Sequence, residues 1–207
     1  MAQQRNSGIL LHFASLPTSF GIGDFGPVAY QFCDWLKKAG QSIWQVLPLN
    51  SVHPKYGFSP YNSLSAFAGN TLLISPELMQ KQGLLQSEDL DIAHHQSVKI
   101  EYKEVDLKKN KLFDIAFNNF KQQNGLDHHD FIHFCQSNSY WLHDYTLYLA
   151  IAQQQQTTNW TNWPDNLKFR EKLNEIQIND ELGDLINREK FLQYIFFTPN
   201  FMISTIY

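Results

Sequence analysis

Two cysteines in 207 residues leave little scope for a disulfide framework. Cys33 and Cys135 both fall in apolar-patterned helical stretches, so they read as buried free thiols. Clustered positive charge is also lacking. The net charge is −4 and no block of Lys or Arg occurs, which excludes nucleic acid and anionic membrane as partners, because both require concentrated positive charge. No apolar run approaches the roughly 20 residues that span a bilayer. The opening Met1-Ala2-Gln3-Gln4-Arg5-Asn6-Ser7 is too short and polar for a secretory signal. These absences predict a soluble, cytoplasmic protein. What is present is an ordinary globular composition, 43% hydrophobic, enough to bury a core as one or two domains.

Gly8-Ile9-Leu10-Leu11-His12-Phe13 is an almost continuous apolar run, as expected of a strand covered on both faces. A loop from Ala14 to Gly26 follows. Pro27 suits the first turn of a helix, with Val28, Phe32, Trp35, Leu36 and Ala39 on one face and Gly40 at its C-terminal end. A second strand, Ile43–Leu49, comes directly after. Strand, helix and strand with short connections predict a parallel βαβ unit and hence an α/β fold.

Loops leaving the C-terminal ends of such strands build the binding sites of α/β proteins. Two qualify, Ala14–Gly26 and Asn50–Asn70, and both exceed the usual 2–6 residues of such connections. The second carries Tyr56, Ser59, Tyr61, Asn62, Ser63, Ser65 and Asn70, which offer aromatic faces beside hydroxyls and amides. That chemistry suits a neutral polyhydroxylated ligand, whose C–H faces stack on aromatics while its hydroxyls take donors and acceptors. A turn-rich loop whose tyrosines merely pack is the competing reading.

From Ser75 the pattern turns helical. Ser75-Pro76-Glu77 opens a short helix closed by Gly83, and another is expected from Ser87, capped by its own side chain. Longer helices are expected over 104–122, 127–136 and 139–153, the last with Trp141, Leu142, Tyr145, Leu149 and Ala152 on its apolar face. Asp180 is expected to open a final helix with Leu185, Ile186, Leu192 and Phe196 inward. No third strand is expected between Ser75 and Phe197.

Three chemical motifs fail on spacing, ligand set or placement. Gly21-Ile22-Gly23-Asp24-Phe25-Gly26 spells GxGxxG, but seven residues separate it from Phe13 and the helix begins only after its third glycine. No Asp or Glu occurs between Asp34 and Glu77 to meet a ribose, so a nucleotide-binding protein stands as a remote alternative. His128, His129, His133 and Cys135 lack the Glu of a zinc-protease helix and the convergence of a structural site, and no metal is assigned. Asp24 and Asp34 are the carboxylates of the βαβ unit: Asp34 belongs to the helix's exposed side, and Asp24 ties down the loop or meets the helix dipole. No Gly-x-Ser-x-Gly elbow is present. The residues describe a place to bind without a place to react.

Taken together, His12, Ser15-Leu16-Pro17, Gly21-Ile22-Gly23-Asp24, Trp44–Leu49, Ser59-Pro60-Tyr61 and Ser65–Asn70 closely resemble the start of the 4-α-glucanotransferases, the amylomaltases or disproportionating enzymes. The likeness continues through Tyr140–Tyr145 and Trp160–Pro164 to Phe191–Phe197. It implies a (β/α)₈ TIM barrel interrupted by helical subdomains. It also implies retaining transfer of α-1,4-glucan segments between maltooligosaccharides, without a cofactor. Tyr61 would stack on the sugar beside the scissile bond, Ser59 would line that pocket, and Tyr56 would add a second aromatic platform.

The expected architecture is therefore α/β: a partial TIM barrel, its first two strands and loops in 1–74, a helical insertion in 75–180, the next barrel helix starting in 181–197, and a divergent tail in 198–207. Phe58, Thr71, Phe13 and Ala14 depart from the family's usual residues. After Thr198-Pro199-Asn200 the resemblance stops. Retaining transfer needs two carboxylates about 5–5.5 Å apart, which the family supplies from later strands, so no catalytic residue is assigned here. The chain reads as a truncated, inactive and poorly soluble form, through a frameshift near codon 198 for example. The alternative is a non-catalytic glucan-binding or partner-binding module.

Overall fold

The computed structural model describes residues 6–95, 97–169 and 175–198, with the side chains of the last helix described from 182 onward. The described chain is helix-rich with one small parallel sheet. It divides into two compact units, one comprising residues up to Gln122 together with the chain from Ile195, the other running from Gln123 to Tyr194.

The first unit begins with β1 (Gly8–Leu10), α1 (Pro27–Lys38) and β2 (Ile43–Gln45). β1 and β2 pair in parallel, with Gly8 opposite Ile43, Ile9 opposite Trp44 and Leu10 opposite Gln45. The βαβ unit is thus as the apolar pattern predicts. Pro27 opens α1, where its missing N–H leaves no bond unmade. Gly40 follows in a left-handed conformation, φ +69°, that favours glycine.

The strands are shorter and barer than expected. β1 is exposed throughout, Leu10 to 60%, and Ile43 to 48%. Among the described residues each strand pairs only with the other, and of the six strand residues only Trp44 is buried. Trp35 of α1 is likewise 54% exposed, whereas Ala29 and Leu36 are buried. Aromatic rings gather around Trp44 and the first loop. There Phe13 packs edge-on to Phe25 at 4.6 Å and against Trp44 at 4.4 Å. Phe32 meets Trp44 at 4.8 Å, and Phe25 meets Phe196 at 5.5 Å.

α2 (Pro76–Lys81) is capped as expected: Ser75 Oγ accepts from the Leu78 N–H, and Gly83 takes φ +73° beyond its end. The turn over Glu88–Ile92 is a 3-10 helix rather than an α-helix, and Ser87 does not cap it. Instead, the Gln86 N–H donates to Asp89 Oδ2 at 2.7 Å. α3 (Tyr102–Gln122) buries Val105, Lys109, Leu112, Phe113, Ala116, Phe117 and Phe120 in a stripe of helical period.

The second unit holds α4 (His129–Ser137), α5 (Ser139–Gln154), α6 (Asp165–Lys168) and α7 (Glu175–Phe197) as far as Tyr194. Its core joins Leu147, Ala150 and Ile151 of α5 to Trp163, Leu182 and Ile186. α5 is buried more widely than a single stripe predicts, since Thr146, Leu147, Ala150 and Ile151 are enclosed while Leu149 and Tyr145 are only half-buried. Thr146 tolerates that burial because its hydroxyl donates to the Leu142 carbonyl one turn back, at 2.9 Å. Asp180 does not open the last helix, whose backbone is already helical at Glu175. Among the described residues no strand lies between Ser75 and Phe197, although His95 forms an isolated bridge with Phe20. Both thiols are free and half-buried, and burial holds each above the usual cysteine range. The tail from Pro199 lies outside the described residues.

Candidate functional site

Both loops expected to form a site leave the same end of the two-stranded sheet, within the first unit. The first starts with a 3-10 turn over Phe13–Ser15 and folds back so that the Gly23 N–H donates to the Ala14 carbonyl at 3.1 Å. The close return explains Gly23: a Cβ there would strike the backbone oxygens of Phe13 and Leu16. Thr18 Oγ1 donates to the Ile22 carbonyl at 2.6 Å and tightens the turn. The GxGxxG segment is therefore a backbone-packing device.

The second loop is pinched at its base. Asn50 and Gly69 form an antiparallel bridge, the Ser51 N–H donates to Ala68 O at 2.8 Å, and the Asn70 N–H donates to Leu49 O at 2.9 Å. Residues 51–68 thus leave and re-enter the fold at one point, as in a closed surface loop. Gly69 has no room for a side chain because the Phe196 ring lies against it.

Within that loop, Tyr56 ends the 3-10 turn Pro54–Tyr56, whose first N–H bonds are capped by His53 Nδ1 accepting from the Lys55 N–H. Lys55 Nζ lies 5.6 Å over the Tyr56 ring. Phe58, one of the departures from the family pattern, adopts φ +57° and is buried, stacked on Tyr102 with ring centroids 5.3 Å apart. Packing against an aromatic partner offsets the left-handed strain of a bulky residue. Ser59 Oγ then accepts from the Tyr61 N–H at 3.3 Å, and Tyr61 itself is 73% exposed. The structure therefore brings Tyr56, Ser59 and Tyr61 into one turn-rich segment and leaves Tyr61 presenting its ring to solvent.

Several other polar residues serve the loop itself. Ser63 Oγ donates to Ser65 O at 2.7 Å and lies 3.0 Å from Ser51 Oγ. Ser65 Oγ accepts from the Phe67 and Ala68 N–H groups, and Asn70 Oδ1 accepts from the Leu72 N–H. These hydroxyls and amides hold the shape in which Tyr61 and Asn62 are exposed.

Sequence reasoning missed Lys109. Its ammonium is fully buried and donates to Leu72 O at 2.7 Å, Ile74 O at 2.9 Å and Asp24 Oδ2 at 3.3 Å. Asp24 is buried with it, and its Oδ1 accepts from the Gly26 N–H at 2.9 Å. Burial pushes the Asp24 carboxyl up and the Lys109 amine down, while each one's charge opposes the shift of the other. The signal was legible: Lys109 lies four residues after Val105 and four before Phe113, on the apolar stripe. Asp24 thus ties its loop down, one of the two roles expected of it, and Asp34 is exposed on α1.

A cavity of about 430 Å³ opens beside the first loop, lined by Leu16, Thr18, Ile22, His95, Lys99 and Ile100 among others; Tyr56, Ser59 and Tyr61 do not line it. Among the described residues no group of three or more His, Cys, Asp or Glu is arranged to hold a metal. The His129 and His133 rings lie parallel, 6.1 Å apart, with both side chains on the α4 surface.

The sequence pattern of the family described as 4-alpha-glucanotransferase matches residues 11–200. The 4-alpha-glucanotransferase of Aquifex aeolicus (strain VF5) is 41% identical over 193 residues, covering 93% of this chain and 38% of that protein. The Clostridium butyricum 4-alpha-glucanotransferase is 38% identical over 190 residues, covering 91% and 38%. Among solved structures, an amylomaltase from Streptococcus agalactiae in complex with acarbose superposes with a TM-score of 0.84 at 31% identity, covering 94% of this chain and 39% of that one. The chain thus spans under two fifths of the length of these relatives.

Proposed function

The chain belongs to the 4-alpha-glucanotransferase family, and from that premise we propose that it contributes the first strands and sugar-contacting loops of an α-1,4-glucan transferase. Tyr61 stacks on a sugar ring, Ser59 lines the same pocket, and Tyr56 extends the platform for a longer maltooligosaccharide. The observation that carries this reading is the exposed Tyr61 ring on a loop whose neighbouring hydroxyls are engaged in holding its shape. An aromatic face on a preorganised loop loses little conformational freedom when a sugar's C–H face settles on it.

In this reading 1–74 is the opening of a TIM barrel and 75–180 an insertion into it. That division concerns chain connectivity, whereas the two compact units reflect contacts. Retention of configuration would proceed through a carboxylate nucleophile and an acid/base partner about 5–5.5 Å apart. Asp24 is engaged by Lys109 and Asp34 lies on the exposed side of α1, so neither is suited to that pair. The isolated 207-residue chain accordingly binds glucan without transferring it.

Calorimetric titration with maltoheptaose tests the binding, and glucose release from maltotriose tests the absence of transfer. Tyr61→Ala is expected to weaken maltoheptaose binding by about tenfold, roughly 1.4 kcal/mol, while Tyr61→Phe keeps the ring and stays within about threefold. Equal affinity in the wild type and Tyr61→Ala would remove the site assignment. Transfer by the purified chain would remove the claim that its reacting carboxylates lie elsewhere.

A further inference from the structure

A buried ion pair is a poor stabiliser. An apolar side chain of the same volume usually serves the fold as well or better, because removing two charges from water costs about what their attraction returns. Lys109 is nevertheless enclosed at the centre of the first unit, so what its three donors hold together matters. Two of its acceptors, Leu72 O and Ile74 O, belong to the turn immediately after the pinched base of the 51–68 loop. The third, Asp24, closes the other loop. These partners are 37, 35 and 85 residues away in sequence. A direct bond from the Phe25 N–H to Leu73 O, 3.0 Å, runs between the same two segments. Two turns earlier on α3, Tyr102 stacks on Phe58 within the 51–68 loop. α3 therefore grips that loop at its base through Lys109 and farther along through Tyr102.

We propose that Lys109 is a positioning residue for glucan binding: by holding Leu72, Ile74 and Asp24 together from α3, it fixes the 51–68 loop so that Tyr61 meets the sugar. This rests on the glucan-binding reading of Tyr61. An ammonium can satisfy three acceptors in three directions, whereas a methionine of similar length fills the space and holds none of them. The pair sets loop geometry more than it adds to stability.

The test separates those two roles. The double variant Asp24→Asn/Lys109→Met removes both charges, retains an acceptor for the Gly26 N–H, and leaves no unpaired buried ion. Lys109→Arg keeps the charge but redistributes the donors, and is read in parallel so that the answer does not depend on the double variant folding. Amide hydrogen exchange and maltoheptaose titration are measured on the full chain, with the thermal midpoint as the control for global stability. In whichever variant retains a cooperative transition, amides of 51–69 are expected to exchange at least tenfold faster while those of α1 are unchanged. Maltoheptaose affinity is expected to fall by about three- to tenfold, no further than in Tyr61→Ala. Unchanged loop exchange and affinity in a folded variant overturn the proposal. If the wild type itself does not bind maltoheptaose, the glucan reading fails, and loop exchange still decides whether Lys109 positions the loop.

Discussion

Lys109 shows how one side chain can be placed by sequence and explained only by its surroundings. Its register on α3 is legible from Val105 and Phe113, but a lysine on an apolar stripe usually extends its amine to water. Here the amine ends among Asp24, Leu72 and Ile74, three groups distant along the chain, and no local pattern predicts that convergence. Lys109→Met alone leaves Asp24 as an uncompensated buried carboxylate and is expected to cost about 3–5 kcal/mol in urea unfolding. Adding Asp24→Asn is expected to recover more than half of that loss.

Two histidines contribute acid sensitivity at the same scale. Burial lowers the pKa of His12 below its ordinary 6.5, and burial followed by the Lys55 charge lowers His53. His12 Nδ1 is enclosed without a hydrogen-bond partner among the described residues, which favours the neutral ring. Below about pH 6.5 the unfolded chain takes up protons that the folded chain declines, so stability falls on acidification until the folded pKa values are reached. The thermal midpoint of the wild type is expected to drop between pH 7 and pH 5.5, and His12→Gln to flatten that slope.

Among elements, those governed by local chemistry match their sequence signals closely. Pro27 and Gly40 bracket α1, and Ser75 and Gly83 bracket α2, because caps depend on a few adjacent residues. Ser87 does not cap because its own backbone is already helical and its Oγ accepts from Gln80 Nε2, seven residues earlier, at 2.8 Å, a partner that local spacing does not reveal. The glycines divide by mechanism. Gly23→Ala drives a methyl group into backbone oxygens that cannot move aside, and is expected to cost about 2–3 kcal/mol. Gly40→Ala enters open space and meets only left-handed strain, about 1 kcal/mol. Urea midpoints of the two variants check the order.

On the scale of the whole molecule, the first unit leaves Ile9, Leu10, Tyr30, Trp35 and Ile43 exposed. Apolar strands whose faces stay open invite association. The isolated chain is expected to bind a hydrophobic dye and to self-associate as its concentration rises. Leu10→Ser/Ile43→Ser is expected to reduce dye fluorescence by about half while leaving the thermal midpoint within a few degrees, since neither side chain is in the core. Among the described residues no helix is long and apolar enough to cross a membrane.

The sequence by itself determined the parallel βαβ unit, the ends of α1 and α2, the helical run after Ser75 and the family resemblance, because each depends on residue type at short, fixed spacing. It also placed Tyr56, Ser59 and Tyr61 in a single loop. Tertiary structure alone decided that β1 and Ile43 of β2 remain exposed, that Ser63, Ser65 and Asn70 hold the loop, and that Lys109 joins two distant loops. Burial and partner choice are properties of what approaches from elsewhere in the chain. Residues dozens of positions apart become neighbours only in the folded chain.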